Sequence, residues 1–374
     1  MVVGVHRPTK LILDGQALAH NIAVSKAPFD ENIDVFAVVK ANAYGHGVAE
    51  IAKMAKAAGA TGFAVALLDE GIELRELGYT DEPILVLGIT PSEWAVDAAK
   101  YRISLTVGDL DWLQVAQPLL ARAGINTPLR VHMGVDTGMG RIGVRTPADL
   151  VTASQYLRNH ATEFEFEGMF THFATADEEN KDYFESQLGN WQAAINAVKP
   201  LPRFVHAANS AASLWRSKEV PTNVLRLGAA MYGFNPSGDV LPESRLQPVM
   251  SLTTEIAFVK QVAAGDKVSY GATYTATDEE WIATLPIGYA DGFLRRMQGF
   301  HVLVNGEYAD IVGRVTMDQT MIRLSAYQPV GTTVTIVGQD GDKSLTLSEL
   351  ANYAATIPYE IVTDFSTRIK REVK

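Results

Sequence analysis

The chain contains no cysteine. Disulfides, thiolate metal sites and a cysteine nucleophile are therefore excluded together. It also lacks any run of eighteen apolar residues, so no stretch is long enough to cross a bilayer as a helix. The N-terminal MVVGVHRPTK leads into polar sequence without the uninterrupted apolar region of a signal peptide, which makes the cytoplasm the expected compartment and a membrane partner unexpected. Basic residues are scarce. With 32 Lys and Arg against 43 Asp and Glu, the formal charge is -11 and no basic run occurs, which argues against a nucleic-acid partner. Low-complexity tracts and sequence repeats are absent as well.

What is present is an ordinary globular composition, 47% hydrophobic and 20% charged. At 374 residues the chain exceeds what one hydrophobic core usually holds, so two domains are expected. From the N-terminus to about residue 240, short apolar runs alternate with helical patterns. The expected strands are 35–40, 62–66, 83–88, 103–107, 129–134, 166–172, 203–207 and 224–228. Segments such as HGVAEIAKMAKAAGA and KDYFESQLGNWQAAINAV lie between them, with apolar positions recurring at three and four residues. Strand then helix, eight times over, predicts a parallel (β/α)8 barrel over residues 1–240, with a doubly wound open sheet as the other architecture. Beyond residue 240, β-branched alternation broken by Gly-Asp and Asn-Gly turns predicts a separate β-rich domain over 241–374, and LPESRLQP reads as a linker.

The polar residues at the strand ends attract notice. In FAVVKANAYGHG, Lys40 closes an apolar run and precedes the turn residues Asn42, Gly45 and Gly47. Either it ends the strand by reaching water, or it is held in a pocket where desolvation favours the neutral, nucleophilic amine. Asp136 and Arg141 follow strand five, and His172 ends strand six. His206, Asn209 and Ser210 come at strand seven, Arg226 and Gly228 at strand eight. The C-terminal ends of barrel strands form the active face, and the loops after strands seven and eight often hold a phosphate. Asn209 and Ser210 in HAANSAAS, with Gly228 and Ala229 in RLGAAMYG, suit that task. Together with Lys40 they favour a phosphorylated aldehyde cofactor. Two other readings stay open at this point: His132, His172 and His206 as zinc ligands, and Arg141 as a surface partner of Asp136.

The motifs VVKANAYGHG, DTGMGRIG, THFATADE, HAANSAA, LRLGAAMYG, VSYGATY, PIGYADG, GRVTMDQ and IPYE, in this order, resemble those of the bacterial alanine racemases from Lys40 to Tyr359. The resemblance implies a (β/α)8 barrel followed by a β domain, pyridoxal 5'-phosphate, and a head-to-tail homodimer with shared sites, making D-alanine for peptidoglycan. Carried over by motif, Lys40 becomes the cofactor-bound lysine and one catalytic base, with Tyr270 from the other chain as the second. By the same resemblance His172 and Arg226 form the network that tunes Tyr270, with Arg226 facing the pyridine nitrogen. Tyr44, Ser210, Gly228, Ala229 and Tyr359 match phosphate-binding positions, and Asn209 lies beside them. Arg141, Met317 and Asp318 match substrate contacts, while Asp177, Tyr289, Arg295, Arg314 and Ile357 match the access corridor. Two departures stand out. Many members carry a carbamylated lysine seven residues before the arginine of DTGMGR, where this chain has Gly134, so chloride or water is expected beside Arg141. Thr316 stands where some relatives have cysteine. A broader or serine-directed racemase and a non-catalytic cofactor carrier are the competing functions.

Overall fold

A computed structural model describes residues 2–238, 240–243 and 245–374. The chain divides into two compact units: Gln16–Ala43 with Ile51–Pro248, and Met1–Gly15 with Tyr44–Glu50 and Val249–Lys374.

The first unit is built on eight parallel strands: β1 (Asp34–Val38), β2 (Gly62–Val65), β3 (Ile84–Ile89), β4 (Ser104–Val107), β5 (Leu129–Gly134), β6 (Phe164–Phe170), β7 (Phe204–His206) and β8 (Val224–Leu227). Each pairs in parallel with the next, except that β8 pairs with β1. The remaining seam, between β7 and β8, is joined by a parallel bridge from Ala208 to Leu225 and by backbone bonds of 2.9 Å from Asn223 N to Val205 O and from Arg226 N to Ala208 O. Val35, Phe36 and Ala37 of β1 are fully buried, as a strand between a helical layer and a barrel interior must be. The interior is not uniformly apolar. Ser104, His132, Glu167, His206 and Arg226 are all buried within it.

Two strands differ from expectation by two residues at an end, and the others by at most one. β1 stops at Val38 rather than residue 40, because Ala41 to Tyr44 turn into left-handed φ values of 52–54° that a strand cannot hold. β6 begins and ends two residues earlier than 166–172, so His172 lies in the loop beyond it.

The second unit takes in N-terminal residues expected to belong to the 1–240 barrel segment. Lys10–Leu13 lies antiparallel to Met250–Glu255 and parallel to Lys370–Val373. The reason is legible in its burial. Leu11 and Leu13 are fully buried while Lys10 and Ile12 are half-buried, the alternation of a strand with one wet face rather than of a barrel strand. The boundary falls at Pro248/Val249 rather than 240/241, and the LPESRLQP segment belongs to the barrel unit, its Ser244 lying outside the described residues. Thr333–Asp340, His301–Val304, Glu307–Ile311, Thr320–Leu324, Glu280–Leu285 and Phe258–Val262 continue the antiparallel sheet. A short hairpin, Lys267–Val268 with Tyr274–Thr275, carries Tyr270 at its turn.

Candidate active site

Four consecutive non-glycine residues, Ala41 to Tyr44, adopt left-handed backbone directly after Lys40. Each such residue costs about 1–2 kcal/mol, so the turn persists only where its surroundings over-determine it. Glu70 supplies that constraint. Its Oε1 accepts from Ala41 N at 2.6 Å, while Oε2 accepts from Ala66 N at 2.8 Å and Leu67 N at 3.1 Å, tying the turn after β1 to the turn after β2. Lys40 is half-buried at the head of the turn. Burial lowers its pKa, the field of Arg141 lowers it further, and Glu70 opposes both. The net direction enlarges the fraction of neutral amine.

Arg226 in β8 is 3% exposed. Its Nη1 donates to His206 Nδ1 at 2.8 Å and His206 O at 3.1 Å, and its Nη2 donates to Thr171 O at 2.7 Å and His172 Nδ1 at 3.3 Å. Among the described residues no carboxylate pairs with it directly. Burial, then the charge of Arg141, brings its pKa down to about 9, which leaves it a cation at neutral pH. The same environment acts on His172, whose pKa burial pushes down to about 3 with help from Arg226, Arg141 and Lys40. His172 is thus neutral at working pH. A guanidinium has no acceptor, so the imidazole must accept at Nδ1 and carry its proton on Nε2. Asn209 Nδ2 lies 3.4 Å from that Nε2, and the amide is oriented by Oδ1 accepting from Ala212 N at 2.9 Å. Two donors face each other there, so this contact is proximity and not a hydrogen bond.

Ser210 joins the loops after β7 and β8. Its buried Oγ accepts from Gly228 N and Ala230 N, each at 3.2 Å, and Ala229 lies between those two donors in sequence. Gly134 ends β5. A Cβ there would meet nothing closer than Gly143 Cα at 3.5 Å, so crowding does not require glycine at this position. Asp136 organises the next loop by accepting at Oδ1 from Gly138 N at 3.1 Å and Gly140 N at 2.9 Å. Its ion-pair partner is Arg145, at 3.8 Å, rather than Arg141, which is exposed. Asp177 is half-buried in the loop after β6. His132 and His206 form a line of hydrogen bonds rather than converging on a point, and among the described residues no cluster of three His, Cys, Asp or Glu could hold a metal.

The remaining candidates belong to the second unit. Tyr270 is 73% exposed on a turn where Ser269, Gly271 and Ala272 all have positive φ. Ser269 Oγ pins the turn by donating to Arg314 O at 2.6 Å. Met317, Tyr289 and Ile357 are also exposed, as are Arg295 and Asp318. Tyr289 N and Ala290 N donate to Thr316 O and Met317 O at 3.0 Å, which seats the PIGYADG loop against GRVTMDQ. Asp318 accepts from Arg368 Nη2 at 2.7 Å. The rings of Tyr44 and Tyr359 are 6.1 Å apart, and burial pushes the Tyr44 phenol up to about 12. The candidates therefore divide between the units: Lys40, Arg141, His172, Asp177, Asn209, Ser210, Arg226, Gly228 and Ala229 in the barrel unit, and Tyr44, Tyr270, Tyr289, Arg295, Arg314, Met317, Asp318, Ile357 and Tyr359 in the other.

Three further residues, Glu70, Thr171 and Glu167, carry no role in the motif assignments, although Thr171 opens THFATADE. Thr171 acts through its backbone carbonyl, which no sequence pattern reveals. Glu167 does leave a signal, an acid inside the apolar run of β6, where a buried carboxylate needs partners.

An amine of lowered pKa, a serine hydroxyl tying together the loops after β7 and β8, and a donor-only guanidinium suit a phosphorylated aromatic aldehyde with a ring nitrogen. The family model described as alanine racemase, N-terminal domain, matches residues 13–236, and that for the C-terminal domain matches 249–373. An alanine racemase of Lactiplantibacillus plantarum is 53% identical over 372 residues, 99% of each chain. The crystal structure of alanine racemase from E. faecalis superposes with a TM-score of 0.95 at 51% identity, covering 100% of both chains. A histidine racemase from Leuconostoc mesenteroides subsp. sake reaches a TM-score of 0.94 at 37% identity, covering 100% of this chain and 99% of its own.

The neutral state of His172 has a consequence for stability. Its pKa is about 3 folded and about 6.5 unfolded, so its contribution is intact above pH 6.5 and is lost as pH falls toward 3, where the unfolded chain takes up a proton that the folded chain refuses. Denaturant midpoints measured between pH 7.5 and 4.5 should decline, and the decline should be shallower in His172→Gln. Equal slopes for the two proteins would contradict the neutral assignment.

Proposed function

We propose, from the premise that the chain belongs to the alanine racemase family, that it interconverts L-alanine and D-alanine with pyridoxal 5'-phosphate, supplying D-alanine for peptidoglycan in the cytoplasm. The observation that carries this reading is the barrel-mouth grouping of a low-pKa lysine with a buried arginine that meets no carboxylate among the described residues. When bound, the cofactor supplies an aldehyde that condenses with an amine and a ring that stabilises negative charge at the substrate α-carbon.

Inversion of a stereocentre needs a base on each face of a planar centre. Lys40 is proposed to hold the cofactor and to move the α-proton on one face with its Nζ. Tyr270 of a second copy does so on the other, which makes the working form a head-to-tail homodimer. The exposure of Tyr270 on a strained turn suits a residue lent to another chain. A free phenol has a pKa of about 10, so it needs tuning to act near neutrality. His172, with its proton on Nε2, can donate to the phenol oxygen and favour its ionised form. Arg226 is proposed to face the ring nitrogen. Being always the donor, it leaves that nitrogen unprotonated and the ring a weaker electron sink, which favours return of the proton over its loss to side reactions.

The barrel unit is proposed to bind the phosphate through Ser210, Gly228 and Ala229 with Asn209 nearby. Tyr44 and Tyr359 are proposed as phosphate-binding residues by their match to the family's motifs. Arg141 is assigned to the cofactor hydroxyl and the substrate carboxylate. Met317 and Asp318 of the C-terminal domain are assigned to the substrate in the partner's site, and Asp177, Tyr289, Arg295, Arg314 and Ile357 to the access corridor. Chloride or water beside Arg141 and Gly134 is proposed to take the part of the carbamylated lysine found in many relatives. The histidine racemase of the same fold makes substrate choice the second question, and relative rates on alanine, serine and histidine answer it.

Lys40→Ala should lose both the visible absorbance of the bound cofactor and racemisation measured by polarimetry. Tyr270→Ala should keep the absorbance while losing activity mainly from one enantiomer. Racemisation by the lysine variant would overturn the assignment. Chloride titration should raise activity and cofactor affinity, and indifference of both would exclude a functional anion beside Arg141.

A further inference from the structure

A line of buried polar side chains leads away from Arg226 through the barrel interior, and the racemisation chemistry makes no use of its far end. Arg226 Nη1 lies 2.8 Å from His206 Nδ1, His206 Nε2 lies 2.8 Å from His132 Nδ1, and His132 Nε2 lies 3.0 Å from Glu167 Oε2. Ser104 Oγ donates to the same carboxylate oxygen at 2.5 Å. Arg226, His206, His132 and Glu167 come from β8, β7, β5 and β6, and each is at most 3% exposed.

This line has a single arrangement of protons. The guanidinium has no lone pair, so His206 must accept at Nδ1 and carry its proton on Nε2. That N–H meets His132 Nδ1, which must accept in turn, so the proton of His132 is also on Nε2. It donates to Glu167, which is left as the ionised acceptor. A neutral imidazole with both nitrogens accepting does not exist, so no reversal of direction is available. Every contact is then a donor–acceptor pair, and the line runs from a cation to an anion.

We propose that Glu167 is a positioning residue: through two oriented imidazoles it gives Arg226 its counter-charge and fixes which of the guanidinium N–H groups are committed. The proposal rests on the reading that Arg226 faces the pyridine nitrogen. Three features of the chain are consistent with a built line rather than incidental packing. The residue after Glu167 is Gly168, where a Cβ would lie 2.4 Å from His132 Nδ1, so the glycine makes room for the imidazole. The ring planes are shelved by aromatics, His206 stacked on Phe170 at 5.0 Å and His132 on Phe204 at 5.8 Å. Burial works against ionisation of Glu167, while the hydrogen bonds from His132 and Ser104 and the field of Arg130 work for it. Arg130 Nε approaches Glu167 at 3.8 Å and Glu165 at 3.4 Å, so the outer end of the line is charge-balanced as well.

The test is nitrogen-15 NMR of the full-length, cofactor-loaded enzyme labelled at histidine, at pH 7.5, with resonances assigned from His132→Gln and His206→Gln. Both rings should be Nε2–H tautomers with downfield N–H protons. An Nδ1–H tautomer at either ring overturns the proposal, and the tautomers are read in the unsubstituted protein, whose folding no variant can compromise. Glu167→Gln keeps an acceptor for His132 but removes the charge. It should lower kcat about tenfold, the scale on which outer hydrogen-bond partners act, leave KM within twofold and move the His132 N–H signal upfield. An unchanged kcat in that variant also overturns the proposal. Gly168→Ala should abolish the His132 signal. Expected tautomers in a protein that never acquires visible absorbance would support the line and refute the cofactor reading, so the two fail separately.

Discussion

A guanidinium gives hydrogen bonds and cannot take them, and at Arg226 that one-way character governs the chemistry around it. His172 and His206 both meet the arginine through Nδ1 and must both accept there. The proton of His172 is thereby assigned to Nε2, where it can serve a phenol. A ring nitrogen set against the same guanidinium would likewise have to accept, and so would stay unprotonated. Acid–base roles that usually require measurement of several groups follow here from the valence of one.

Holding such a cation inside a barrel is expensive unless the charge is answered, because burial penalises charge far more than it penalises a satisfied polar group. The answer does not come from a carboxylate in direct contact. It comes from Glu167, two imidazoles away, and among the described residues no carboxylate touches Arg226 directly. A direct ion pair would have cancelled the field of Arg226 that acts on His172. The left-handed turn at Ala41–Tyr44 solves a related problem by another route. The strained backbone follows directly on Lys40, and the Glu70 carboxylate holds it against the neighbouring loop.

Much of this is legible in the sequence. Eight mostly apolar runs separated by helical periodicity yield the barrel, because parallel strands covered on both faces draw largely on apolar residues. The N-terminal KLIL escapes that logic for the complementary reason: four residues are too few to distinguish a one-sided strand from a two-sided one, and its pairing partners lie more than two hundred residues away. Lys40, His172 and Arg226 can be found because charged residues at the ends of apolar strands are conspicuous. Glu167 is harder. Its partners come from other strands, and only the closed barrel brings Ser104, His132 and Arg130 to it. Glu70 looks like a helix N-terminal acid, which it also is, and its bond to Ala41 depends on a turn whose φ values no side-chain pattern announces.

The central claim is that a donor-only cation leaves the cofactor ring nitrogen without a proton. Nitrogen-15 NMR of the enzyme loaded with pyridoxal phosphate labelled at the ring nitrogen reads this directly. The account predicts the chemical shift of an unprotonated, hydrogen-bond-accepting pyridine at neutral pH, moving to the protonated range in Arg226→Glu. A protonated shift in the unsubstituted enzyme would contradict it.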